Sequence, residues 1–180
     1  MIFDVAALES LNNLLATAGI FAAALCALLL VDLWRGRALN AFVRTWGLPI
    51  AFGISTISIV LTLVYSELFG ITPCGFCWLE RMALYPQVLL IGVAFYYKDR
   101  FMPRYGIALS IFGFVLSLYH HYIQMGGTEF IACPTSGAEC AKRFMFEYGF
   151  VTFPLLSAVL FAILIVLYVY ILRSNKAPTV

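Results

Sequence analysis

Apolar residues fall in five long runs, at about 11–31, 46–69, 78–97, 105–124 and 150–172, with short polar stretches between them. A helix needs about 20 predominantly apolar residues to cross a hydrocarbon core of about 30 Å, and each run is about that long. The first, fourth and fifth contain no Asp, Glu, Lys or Arg. The second has only Glu67, near its end, and the third has Glu80 and Arg81 at its start. A bilayer offers no partner to an unpaired backbone group, so the runs predict helices rather than isolated strands. Pro49 and Pro154 fall near the starts of the second and fifth runs, where a missing N–H costs least. Pro86 lies inside the third and predicts a kink about two turns below its start. The expected fold is all-α and polytopic in a membrane.

Composition agrees with this pattern. Apolar residues make up 63% of the 180-residue chain and charged residues 11%, against roughly 45–50% and about 25% in soluble proteins. Such a chain has too little polar surface to cover a soluble core. The net charge is +2, with no basic stripe of the kind that binds nucleic acid. The first run reads as a membrane helix rather than a signal peptide, because its leader holds Asp4 and Glu9 and no basic residue. Cys26 within it reads as a small packing residue.

Lys and Arg set the orientation. Arg35, Arg37 and Arg44 follow the first run. Lys98, Arg100 and Arg104 follow the third, and Arg173 and Lys176 follow the fifth. Eight of the eleven basic residues thus fall on one side, which is the cytoplasmic one. Seven of the nine acids lie on or near the other side. The N-terminus is then outside and the C-terminus inside. Cys74, Cys77, Cys133 and Cys140 all lie in outer loops, in the compartment where disulfides persist.

The first cysteine motif reads PCGFCWLER, from 73 to 81. A Cys-x-x-C pair can close and exchange a disulfide, and the attacking species is the thiolate. Cys77 is expected at the start of the third helix, where the helix dipole favours an anion. Arg81 follows at i+4 on the same face. It could stabilise a Cys77 thiolate and bond a ligand carbonyl, or it could be a snorkelling cation paired with Glu80 or Glu67. The second motif, CPTSGAEC from 133 to 140, is polar and turn-prone. A disulfide here closes a short ring worth only ~2–3 kcal/mol, which suits either an exposed exchange site or a structural staple. The two pairs together could also make a four-cysteine zinc site.

Residues 141–149 mix Lys142, Arg143 and Glu147 with four aromatic or Met side chains and predict a short interfacial helix or a linker. His120 and His121 end the fourth run beside Tyr119 and Tyr122. Adjacent histidines point to different helix faces, so one at most should face the bundle, where it could orient a carbonyl or pass a proton. Gln87 sits deep in the third run as an interhelical hydrogen-bonding residue.

These residues resemble the DsbB/BdbC family of bacterial membrane disulfide-generating oxidoreductases. The resemblance is carried by CGFCWLERMALYP at 74–86, SLYHHY at 117–122, the pair Cys133/Cys140, and YGFVTFP at 148–154, and it covers about 46–172. In the related vitamin K epoxide reductase family the loop cysteines precede the Cys-x-x-C. Here they follow it, as in the DsbB order.

The resemblance implies a four-helix catalytic bundle over 46–172; this chain departs from it by an additional N-terminal helix and loop over 1–45, and a cytoplasmic tail is expected over 173–180. It implies a cytoplasmic-membrane enzyme of bacteria and no metal. A reduced thioredoxin-fold partner, similar to DsbA or BdbD, would attack Cys133. Cys140 would resolve that intermediate by attacking Cys74. Cys77 would pass electrons to a quinone, ubiquinone or menaquinone, with Arg81, Glu80, His120 and His121 around it.

Overall fold

The computed structural model describes residues 5–35, 40–99, 101–134 and 139–176. Asp4, Arg37, Arg100, the loop interior at 135–138 and the tail at 177–180 lie outside these. The described residues form five helices in the order of the five apolar runs: α1 (Val5–Arg35), α2 (Asn40–Leu63), α3 (Gly75–Tyr97), α4 (Met102–Gln124) and α5 (Phe153–Lys176). The chain is an all-α polytopic membrane protein.

Four helices are long and apolar enough to cross a membrane, over Ala6–Arg35, Thr45–Leu68, Met102–Gln124 and Phe153–Arg173. α3 is not among them, because Glu80, Arg81 and Gln87 lower its hydropathy. Its 23 residues still match α4 in length.

The helices α2, α3, α4 and α5 close into a ring, each packing on the next. α1 packs on α5 from outside that ring. The core is built from Phe161, Leu164, Tyr168, Ile91 and Met102. α4 meets α5 through a stripe of small residues. A side chain at Gly106 or Gly113 would overlap the rings of Tyr168 and Phe161, so these glycines let the two helices approach closely. Gln87 ties three helices together, as its position predicts. Its Oε1 accepts from Ser110 Oγ at 3.2 Å and Tyr168 OH at 2.9 Å. Outward-facing positions are large and apolar, such as Phe21 at 72% and Leu89 at 73% exposed. Single exposed apolars are ordinary, but whole helix faces of them need a lipid or protein cover. Cys26 is buried in the core, as its packing role requires.

Three local features differ from the sequence expectation. α2 starts at Asn40, so Pro49 lies inside the helix rather than in its first turn. α2 also widens into a π-helical turn over Val64–Leu68, which no residue pattern announced. Residues 141–149 form no interfacial helix. They lead into a tight turn in which Phe150 N–H donates to the Glu147 carbonyl at 3.2 Å, with Glu147 and Val151 paired across it. Tyr148 (φ 53°) and Gly149 (φ 79°) both take left-handed backbone. This is the geometry of a type I′ turn, which Gly at the third position favours and a helix cannot accommodate.

Candidate active site

α3 begins one residue after Cys74. The Cys74 backbone is extended, and its sulfur accepts the Cys77 N–H at 3.3 Å. Cys74 is therefore the N-cap, and Cys77 sits within the first turn. The expectation that put Cys77 at the helix terminus shifts by one turn position, and the anion-favouring end of the dipole acts first on Cys74. The two sulfurs lie 2.6 Å apart, and both are free of any disulfide. The Cys74 thiol is held below its ordinary value. The Cys77 thiol that bonds its sulfur contributes most, burial opposes it, and His120 and the Cys77 N–H add to the lowering.

The loop pair is joined as a Cys133–Cys140 disulfide with Cα atoms 6.0 Å apart. The sequence left it as either an exposed exchange site or a structural staple. In the structure Cys140 is buried, Cys133 is half-buried, and both pack with Cys74, Phe76 and Ile123. Side chains of α4 clamp the loop backbone. Tyr119 OH accepts the N–H groups of Phe130 and Ile131 at 2.8 and 2.7 Å. Gln124 Nε2 donates to the Lys142 carbonyl at 3.2 Å. At Gly75 a side chain would overlap the Pro134 carbonyl and ring, so the loop rests on backbone that only glycine leaves open.

His120 is the histidine that faces the bundle, and it is fully buried. Its Nδ1 lies 2.9 Å from Glu80 Oε1. Its Nε2 lies 3.2 Å from the Cys140 carbonyl and 3.5 Å from Cys74 Sγ. A carbonyl can only accept, so Nε2 carries a proton, and a second proton lies on the line between Nδ1 and Glu80. His121 turns away and bonds Thr152 Oγ1 at 2.8 Å, at the start of α5.

On the other side of the Cys-x-x-C is a cavity of about 330 Å³, whose wall includes Cys77, Glu80 and Arg81. Neither histidine lines it. Arg81 makes no ion pair with Glu80 or Glu67 among the described residues. Its Nη2 donates to the Thr62 carbonyl at 2.9 Å and to Ser66 Oγ at 3.3 Å, and its guanidinium lies 5.2 Å over the Trp78 ring. Ser66 lies in the π-turn at the end of α2 and Thr62 just before it, and such turns are frequent at functional sites. Among the described residues Nε and Nη1 make no hydrogen bond, and Arg81 lines the cavity.

The site thus brings Cys74, Cys77, Cys133, Cys140, Glu80 and His120 into one connected group, with Arg81 beside Cys77 and His121 apart. Sequence reading missed Thr62, Ser66 and Gln124. Gln124 was visible in principle, because it stands at i+4 from His120 and so on the same face. Cys74, Cys77 and His120 also offer three donor atoms within 4.8 Å of one another, which could hold a soft metal ion. The four-cysteine zinc set is not assembled, since Cys133 and Cys140 are bonded to each other.

The family described as "Disulfide bond formation protein DsbB" matches residues 43–171. "Probable disulfide formation protein C 2" of Bacillus anthracis is 33% identical over 135 residues, covering 74% of this chain and 96% of that protein. "Disulfide bond formation protein C" of Bacillus subtilis is 30% identical over 125 residues, covering 69% and 90%. No solved structure matches. Two cysteine pairs packed together at one end of a membrane helical bundle are the arrangement disulfide exchange requires, and the chain belongs to the DsbB family of disulfide bond formation proteins, membrane oxidoreductases that serve disulfide formation.

Proposed function

We propose that this protein oxidises an extracytoplasmic thioredoxin-fold dithiol partner and passes the electrons to a membrane quinone. One observation carries the reading. Cys74 packs with the loop disulfide, while Cys77 lines an apolar cavity together with Arg81 and Glu80. The Cys-x-x-C therefore stands between a thiol entry and an acceptor site.

Cys133 is the more accessible loop sulfur, so an incoming partner thiolate attacks it and releases Cys140. Cys140 then attacks Cys74 of a closed Cys74–Cys77 disulfide and releases Cys77. The partner's second thiol attacks the partner sulfur bonded to Cys133, which closes the partner's own disulfide and frees Cys133. Cys133 attacks Cys140 and restores the loop disulfide, leaving Cys74 and Cys77 as thiols. That is the pairing in the structure. Closing Cys74–Cys77 again gives up two electrons and two protons, which a bound quinone has the chemistry to accept. The residues fit such a ligand: the walls are apolar, and Arg81 offers N–H donors for a carbonyl oxygen. His120 holds a proton at Nε2 beside Cys74, and Glu80 links Nδ1 to the cavity. The charge bias supports an outward-facing site in a bacterial cytoplasmic membrane, with the N-terminus outside.

Cys77→Ser tests this. With a reduced thioredoxin-fold substrate and decylubiquinone, quinone reduction should fall by at least about a hundredfold, because no thiolate remains to complete the pair. Turnover at the wild-type rate would sink the proposal. The three-donor cluster supports metal binding as a second reading, for which metal analysis of purified protein should return near-stoichiometric zinc with Cys74 and Cys77 reduced.

A further inference from the structure

α1 stands wholly outside the part of the chain that the family covers, which begins at residue 43. It is nonetheless built into the bundle. At its outer end Asn12 Oδ1 accepts from Tyr65 OH at 2.7 Å, and both residues are buried. At its inner end Tyr170 OH donates to Asp32 Oδ2 at 2.7 Å and to the Leu29 carbonyl at 2.9 Å. Between these ties α1 lies close on α5, where a side chain at Gly19 would overlap Leu156. It leaves a slot on its α2 side.

That slot is the cavity of Cys77 and Arg81. Leu15, Ala18, Gly19 and Ala22 form one wall of it, and their i, i+3, i+4, i+7 spacing puts them on a single helix face. The opposite wall runs along α2 from Ser66 to Ile54, about 18 Å at the rise of a helix. Its polar groups gather at the end with Cys77, Glu80 and Arg81. Below them the lining is mostly apolar, with Ile54, Leu160, Phe161 and Ile163, broken by the hydroxyls of Ser58 and Ser157. This is the shape for a ring with a carbonyl at one end and a hydrocarbon chain along the rest.

We propose that α1 is the lateral wall of the quinone site and grips the isoprenoid tail, so that it selects acceptors by their tail. The proposal rests on the quinone reading above. The reactive ring would be held by α2 and α3, and the tail by α1. Small residues at 18 and 22 leave the width a branched chain needs.

The test measures binding without turnover. Fully oxidised full-length protein in micelles is titrated with decylubiquinone and with its analogue bearing a methyl group in place of the decyl chain. The variants are Ala18→Phe and Ala22→Leu, with Phe21→Leu on the outward face of α1 as control. Ala18 is exposed to the slot, so added bulk fills space rather than displacing a neighbour. If Ala18→Phe nevertheless unfolds, the smaller Ala22→Leu carries the test.

We expect the decylubiquinone Kd to rise by about tenfold or more in the wall variants, while that of the methyl analogue changes less than about twofold. The control should bind as wild type. Unchanged decylubiquinone binding in both wall variants overturns the role of α1 and leaves the quinone reading intact. Equal weakening of both ligands also overturns it, since the wall would then act on the ring. A wild-type protein that binds neither ligand overturns the quinone reading and this inference with it.

Discussion

At the scale of single residues, the site depends on how one buried imidazole is shared. His120 bonds Glu80 through Nδ1, while Nε2 serves both the Cys140 carbonyl and Cys74 Sγ. A charge-bearing ring in this position stabilises an anion on Cys74 without touching Cys77. Because the folded Cys74 value is depressed, its thiolate stabilises the folded reduced protein above the ordinary thiol pKa. That contribution is lost as pH falls through the folded value. His120→Ala removes one cause of the depression and leaves the larger one, the Cys77 thiol. In a background of Cys26→Ala, Cys133→Ser and Cys140→Ser, the ultraviolet absorbance of the thiolate should therefore titrate higher by about one pKa unit, ~1.4 kcal/mol of differential interaction. An unchanged titration would show that His120 only holds the loop carbonyl.

At the scale of elements, the loop and α3 work as one unit because backbone meets backbone at Gly75. Gly75→Ala should push Pro134 away at a cost of roughly 1–3 kcal/mol. The loop disulfide should then be reduced faster by a small dithiol, while α3 keeps its helicity by circular dichroism. A reduction rate equal to wild type would mean that the loop yields without leaving its seat. Here the sequence was only partly informative. Five apolar runs gave five helices, because length and hydrophobicity decide a membrane helix almost alone. The Cys-x-x-C with Arg81 marked the start of α3 to within a turn. The docking of the loop was not legible, since it is made by backbone groups, the N–H groups of Phe130 and Ile131 and the carbonyls of Pro134, Cys140 and Lys142, which nearly every residue carries. The acceptors of Arg81 were hidden for a similar reason: one is the Thr62 carbonyl, and the other, Ser66 Oγ, lies in a π-turn that no residue pattern marks. The hairpin at 147–151 was overlooked because its basic and aromatic composition suggested an amphipathic helix, although Tyr148–Gly149 is a turn pair in which Gly favours positive φ.

At the scale of the whole molecule, five described helices that each cross the membrane would place the start of α1 and the end of α5 on opposite sides. α1 and α5 run alongside each other, and α1 is tied both to the turn that precedes α5 and to the end of α5. Thr17 Oγ1 meets Tyr148 OH at 2.9 Å, and Arg173 Nη1 donates to the Leu33 carbonyl at 3.0 Å. Residues early in α1 therefore sit level with the cysteines, and residues late in α1 sit level with the end of α5. On the orientation proposed above, the positive-charge bias puts the cysteine end outside. Glu9 and Arg173 are both exposed and mark the two ends. In a Cys26→Ala background, Glu9→Cys should be labelled by a membrane-impermeant maleimide on intact cells, and Arg173→Cys only after the membrane is opened. The four site cysteines give a constant signal that the parent protein subtracts. The reverse pattern would place both cysteine pairs in the reducing cytoplasm, where the loop disulfide could not persist, and the proposed direction of electron flow would fail with it.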